Sequence, residues 1–140
     1  MPQGITSAQL NLSYCIASLL LDGEVFVDQF TEDKLVEPRR LALAERIRME
    51  HDPEITAKGP RFRHLVRVQV FLKDGSKRER TVEISRHKAN FMPDADVVQK
   101  FEKLAAHVLP RPQVERLRDA VLSLDTLKDA SELARLLAKP

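Results

Sequence analysis

Between Val66 and Leu72 the apolar residues stop recurring at every third or fourth position and begin to alternate, a switch of period that commits the chain to joining helices with a sheet. Val66, Val68, Val70 and Leu72 make one fully apolar side of this segment, and Leu65, Arg67, Gln69 and Phe71 make a mixed side. Lys73-Asp74-Gly75-Ser76 follows, with a glycine suited to the positive φ of a hairpin turn. The return strand, Arg78 to Ser85, sets Arg80, Val82 and Ile84 on one face against Glu79, Thr81 and Glu83 on the other. A shorter strand near Ile47 to His51 is expected to complete a small antiparallel sheet.

Helical patterns flank this sheet. Residues 7 to 22 read as one helix, with Ser7 as N-cap and Gly23 where a left-handed residue would stop it. Leu10, Tyr14, Ala17 and Leu21 fall on one face of it, which should be buried. Pro38 suits the first turn of a second helix running to about Ile47, with Leu41, Ala44 and Ile47 as its stripe. After Pro93, Asp94 is expected to cap a helix striped by Val97, Phe101, Leu104, Ala105 and Val108, ended by Pro110 and Pro112. A further helix carries Val114, Leu117, Val121 and Leu124, and a last short one carries Leu133, Leu136 and Leu137. The order predicts an α+β fold: a small antiparallel sheet with flanking helices, followed by carboxy-terminal helices.

A chain of 140 residues can bury a core, and a net charge of +2 sets up no field strong enough to draw it to nucleic acid or an anionic membrane. A single cysteine excludes an internal disulfide framework. The longest greasy run, Cys15 to Leu21, is far short of the roughly 20 residues that cross a bilayer, and no basic-then-apolar leader opens the sequence. A cytoplasmic location is expected.

Tyr14 is the only tyrosine, a phenol within an otherwise apolar helix. Such residues are commonly core side chains whose hydroxyl finds a backbone partner. His51, His64, His87 and His107 are scattered, without the close pairing that makes a metal site, so no metal is expected. His87, beside Arg86 and Lys88, is a weak candidate for holding a carboxylate together with Lys88; solvated loop residues are the ordinary alternative. Cys15 has no basic neighbour in sequence and reads as a buried structural thiol. The hairpin is basic, with Arg61, Arg63, Arg67, Lys73, Lys77, Arg78 and Arg80 against Asp74 and Glu79. No aromatic platform is interleaved for base stacking, so nucleic acid is not the expected partner, and charges that discourage edge-to-edge aggregation explain the pattern better.

The segment Ala8-Gln9-Leu10-Asn11-Leu12-Ser13-Tyr14-Cys15-Ile16-Ala17, with the aliphatics and Gly23 after it, resembles the MmgE/PrpD family, relatives of 2-methylcitrate dehydratase and cis-aconitate decarboxylase. The family pattern runs roughly Ala-Gln-Phe-Ser-x-x-Tyr-x-x-Ala. The likeness continues through Phe30, Leu41 to Ile47, Asp52-Pro53-Glu54, Val66 to Gly75, Pro93 and Lys100-Phe101, nearly the whole chain. Asn11 stands where serine is common and Leu10 where an aromatic is common, and the 86–90 loop lacks a glycine that many relatives have.

The resemblance implies cofactor-independent acid/base chemistry on small polycarboxylates: dehydration, decarboxylation or epimerisation next to a carboxylate. It puts Tyr14 at the position of an active-site tyrosine, able to donate a hydrogen bond or a proton. Family members are several hundred residues long, with a large helical domain and most acid/base groups upstream. By that analogy residues 1–93 are an α/β lid-like domain, residues 94–140 are helices that pack on the absent helical domain, and this chain by itself is inactive. Homo-oligomers are expected on the same analogy. The alternative from a different class is a non-enzymatic α+β interaction module, self-associating or binding an acidic partner through its basic hairpin.

Overall fold

The computed structural model describes residues 2–83 and 92–138. It is α+β: helices and one antiparallel pair of strands, in two compact units, residues 1–63 and 64–140.

The first unit is helical. Where one helix is expected over residues 7 to 22, the chain forms two, α1 (Ile5–Gln9) and α2 (Leu12–Asp22). Asn11 is the reason: its backbone is extended and its side-chain oxygen accepts the Tyr14 amide at 2.9 Å, so it caps α2 instead of lying inside a longer helix. Ser7 therefore lies inside α1 and is no cap, and Leu10, expected in the buried face, is 84% exposed at the break. Serine and asparagine are comparable N-caps, so the departure from the family pattern at position 11 preserves the helix start. Gly23 ends α2 as expected, at φ 79°.

After a 3-10 turn at Val27–Gln29 come α3 (Glu32–Leu35) and α4 (Pro38–Ala44), the latter opened by its proline. Helix α4 stops three residues before Ile47, and α2 packs on it. No strand forms over residues 47–51; that stretch leads instead into α5 (Pro53–Ala57), whose start the Asp52 carboxylate caps by accepting the amides of Glu54 and Ile55 at 3.0 and 3.2 Å. Five residues, Ile47 to His51, in which only Ile47 and Met49 are apolar, were too few to hold an edge when an Asx-Pro cap competed immediately after them.

The second unit opens with β1 (Leu65–Phe71) and β2 (Lys77–Glu83), paired antiparallel with Val66 opposite Val82 and Val70 opposite Arg78. The turn between them is the expected one. Gly75 sits at φ 82°, its amide donates to the Leu72 carbonyl at 3.1 Å, and the Asp74 carboxylate accepts the Ser76 amide at 2.8 Å. The end of the expected return strand, at residues 84 and 85, lies outside the described residues, as does the 86–90 loop.

Three helices follow: α6 (Asp94–Ala105), α7 (Arg111–Leu122) and α8 (Ser131–Leu137). Pro93, not Asp94, occupies the cap position of α6, and Asp94 adds negative charge to its first turn. Pro110 and Pro112 do not simply end α6; they open α7, one as its cap and one in its first turn. Leu117, Ala120 and Leu136 form the core here, with Phe101, Leu109 and Leu133 against it. Val121 and Leu124, expected in the stripe of α7, are half exposed because the buried face turns through Ala120 instead. The Gln113 side chain donates to the carbonyls of Leu136 and Ala138, at 2.7 and 2.8 Å, and so closes the end of α8. No helix among the described residues is long and apolar enough to cross a membrane.

Candidate functional site

On α2, Tyr14, Ser18 and Asp22 follow one another at four-residue steps, so a polar row runs along a helix whose other residues are mostly alanine, leucine and isoleucine. Tyr14, Ala17 and Ser18 are all fully buried. The row faces α4 and the 27–29 turn, from which Arg40 and Gln29 join it, 1% and 3% exposed.

A buried guanidinium is costly unless it is paired. Arg40 Nη2 donates to both carboxylate oxygens of Asp22, at 3.0 and 3.1 Å, and to Glu37 Oε2 at 2.9 Å, while its Nε donates to the same Glu37 oxygen at 3.0 Å. Lys34 Nζ reaches Asp22 at 2.7 Å. The hydrogen bond from Lys34, helped by those from Arg40 and Gln29, holds the Asp22 carboxyl at about 2, below the ordinary carboxylate range. Burial alone would depress Arg40, yet the hydrogen bonds it donates to Asp22 and Glu37 carry it upward. Two cations thus meet two carboxylates, and the cluster is charge-balanced.

Gln29 ties three segments together. Its Nε2 donates to Asp22 at 3.1 Å, its Oε1 accepts the Phe26 amide at 2.8 Å, and its carbonyl accepts the Tyr14 hydroxyl at 2.8 Å. The Tyr14 ring lies 5.9 Å from that of Phe30 and 5.9 Å from the Arg40 guanidinium carbon, over its face. Burial pushes the phenol up from its usual range, against the lowering influence of Arg40 and of Ser18 beside it. Ser18 Oγ and Arg40 Nη1 are buried and make no hydrogen bond of good geometry among the described residues.

Of the expected site residues, Tyr14 lies at the centre of this cluster, and His87 and Lys88 lie outside the described residues. His51 bonds Thr56 at 2.7 Å and His107 the Lys103 carbonyl at 2.9 Å, each within its own segment. Among the described residues no group of three or more His, Cys, Asp or Glu is placed to hold a metal. Burial pushes the Cys15 thiol up, away from the reactive thiolate. Sequence reasoning missed Ser18, Asp22, Gln29, Glu37 and Arg40. For Ser18 and Asp22 a signal was available in the Tyr-x-x-x-Ser-x-x-x-Asp spacing, which a search for apolar stripes passes over.

The fold is α+β, and this buried polar cluster lies within its first, helical unit. The chain belongs to the MmgE/PrpD family: a model of the MmgE/PrpD C-terminal domain matches residues 1–126. It is 31% identical over 141 residues to a cis-aconitate decarboxylase of Aspergillus terreus (strain NIH 2624 / FGSC A1156), with 99% of this chain and 29% of that protein covered. It is 30% identical to the cis-aconitate decarboxylase of Mus musculus, with 99% and 28% covered, and 30% identical to that of Homo sapiens, with 95% and 27% covered. The chain thus spans less than a third of the length of these curated relatives.

Proposed function

We propose that this chain is the carboxy-terminal part of a cofactor-independent lyase acting on small polycarboxylates, inactive until a helical domain completes its site. The observation that carries the reading is the alignment of almost the whole chain with a little over a quarter of several proteins named cis-aconitate decarboxylase. Those names favour decarboxylation over the dehydration of 2-methylcitrate, the other reaction the family suggests. Decarboxylation breaks the bond between a carbon and its carboxylate, leaves the electron pair on that carbon and fills it with a proton, so a positioned donor is required.

Tyr14 is the donor we propose from this chain. Its hydroxyl is held on the Gln29 carbonyl, and the ring is closed from solvent in the chain by itself, so donation requires the 27–29 turn to yield when the completing domain is supplied. Arg40 Nη1 and Ser18 Oγ, buried beside it, are the donors left to engage a group brought by that domain or by substrate. The same bond to Gln29 favours a second reading, in which Tyr14 anchors the turn and donates to nothing else. Comparing the rate and the stability of Tyr14→Phe in a completed enzyme separates the two.

We also propose homodimers. Val97 and Leu104 on α6 and Val108 just after it are 51%, 39% and 59% exposed, and the last two line a groove of about 480 Å³ with Phe101, Leu109 and Leu137. Light scattering on the purified chain tests this directly.

A further inference from the structure

The register of the hairpin fixes the character of its two faces. Val66 lies opposite Val82, Val68 opposite Arg80 and Val70 opposite Arg78, so these six side chains share one face. On the other face Leu65 lies opposite Glu83, Arg67 opposite Thr81, Gln69 opposite Glu79 and Phe71 opposite Lys77, so it mixes charges of both signs with two apolar side chains. There Glu79 accepts from Gln69 at 2.9 Å and pairs with Lys77 at 2.8 Å, so positive and negative groups meet within the face. The valine face has no carboxylate at these positions. Val66, Val68, Val70 and Val82 are 47%, 44%, 48% and 37% exposed. A two-stranded hairpin is marginal in water and both of its strands are edges, so covering this face stabilises it.

The two arginines decide what can cover it. An apolar surface would take Arg78 and Arg80 out of water without giving them an acceptor. A second copy stacked valine face on valine face would set arginines against arginines. Carboxylates match the planar guanidinium fork, and aliphatic side chains match the valines. We infer that the face formed by Val66, Val68, Val70, Val82, Arg78 and Arg80 is a docking surface for an acidic amphipathic protein segment.

Fluorescence anisotropy of the full chain with a labelled amphipathic peptide of leucine and glutamate tests this, with a peptide carrying lysine at each glutamate position as the comparison. The glutamate peptide should bind, more weakly as salt is added, and the lysine peptide should not. Arg78→Gln with Arg80→Gln should weaken binding by about tenfold or more, because both charged contacts of the face are lost. Val68→Thr, which keeps shape and strand propensity, should weaken it too, whereas Glu83→Gln on the opposite face should leave it unchanged; far-ultraviolet circular dichroism confirms that each variant is folded. Equal binding of the two peptides, indifference to the double arginine substitution, or no binding by the glutamate peptide overturns the inference. Sedimentation with phosphatidylserine vesicles supplies the competing outcome: capture by vesicles without capture of the peptide would make the face a membrane surface and overturn the proposal.

Discussion

The Tyr14 hydroxyl donates to the backbone carbonyl of Gln29 at 2.8 Å, across fifteen residues of sequence and with both groups buried. This bond fixes the 3-10 turn to α2, and the Gln29 side chain, through Asp22, then fixes the turn to the ion pairs of α4. Tyr14→Phe removes only the hydroxyl. As an anchor, Tyr14 predicts a loss of about 1 kcal/mol in urea unfolding and little effect on a completed enzyme. As a proton donor, it predicts a rate loss of about 10²-fold or more. The two measurements on one variant assign the role.

Arg40→Met should destabilise the chain by about 2–4 kcal/mol, because Glu37 and Asp22 lose the guanidinium that both depend on. Arg40→Lys should recover only part of the loss, since an ammonium cannot reproduce the shared donors to two carboxylates. Thermal melts of the two variants beside the parent check this.

Asp22 makes stability depend on pH in a defined direction. Its folded pKa, about 2, lies below the ordinary value for a carboxyl, so the stabilisation is present above pH 4 and is lost as pH falls from about 4 to about 2. The side chain is 20% exposed, so solvent screening reduces the full linkage value to about 1 kcal/mol. Urea midpoints at pH 6 and pH 3 should differ in the parent, and Asp22→Asn should flatten that difference.

Self-association should run through the apolar residues of α6 and of the segment just after it. Leu104→Gln with Val108→Gln should convert a dimer at tens of micromolar into a monomer without loss of helix content, because both positions are exposed in the single chain. A monodisperse parent monomer in light scattering would remove the dimer proposal.

The hairpin was legible because an alternating valine strand, an Asp-Gly turn and a return strand are short-range signals that agree with one another. The start of α4 was legible from Pro38 for the same local reason. The break at Leu10 and Asn11 was not, since an asparagine in helical register looks like an interior residue until its side chain is seen on the Tyr14 amide. The strand expected at residues 47–51 failed because five residues of weak preference lost to the Asp52 cap. At the site, Tyr14 stood out as a lone phenol, but Arg40 did not. Nothing local tells a buried arginine from a surface one; its burial depends on carboxylates three and eighteen residues away.

The central claim is that this chain supplies the carboxy-terminal part of a polycarboxylate lyase and cannot work alone. Release of carbon dioxide from cis-aconitate should be measured for the purified chain and for a chimera in which the chain replaces the matching 29% of the Aspergillus terreus relative, with 2-methylcitrate and citrate as comparison substrates. The chain alone should give no turnover with any of the three, and the folded chimera should decarboxylate cis-aconitate. Turnover by the isolated chain, or a folded chimera with no activity on any of these polycarboxylates, would contradict the account.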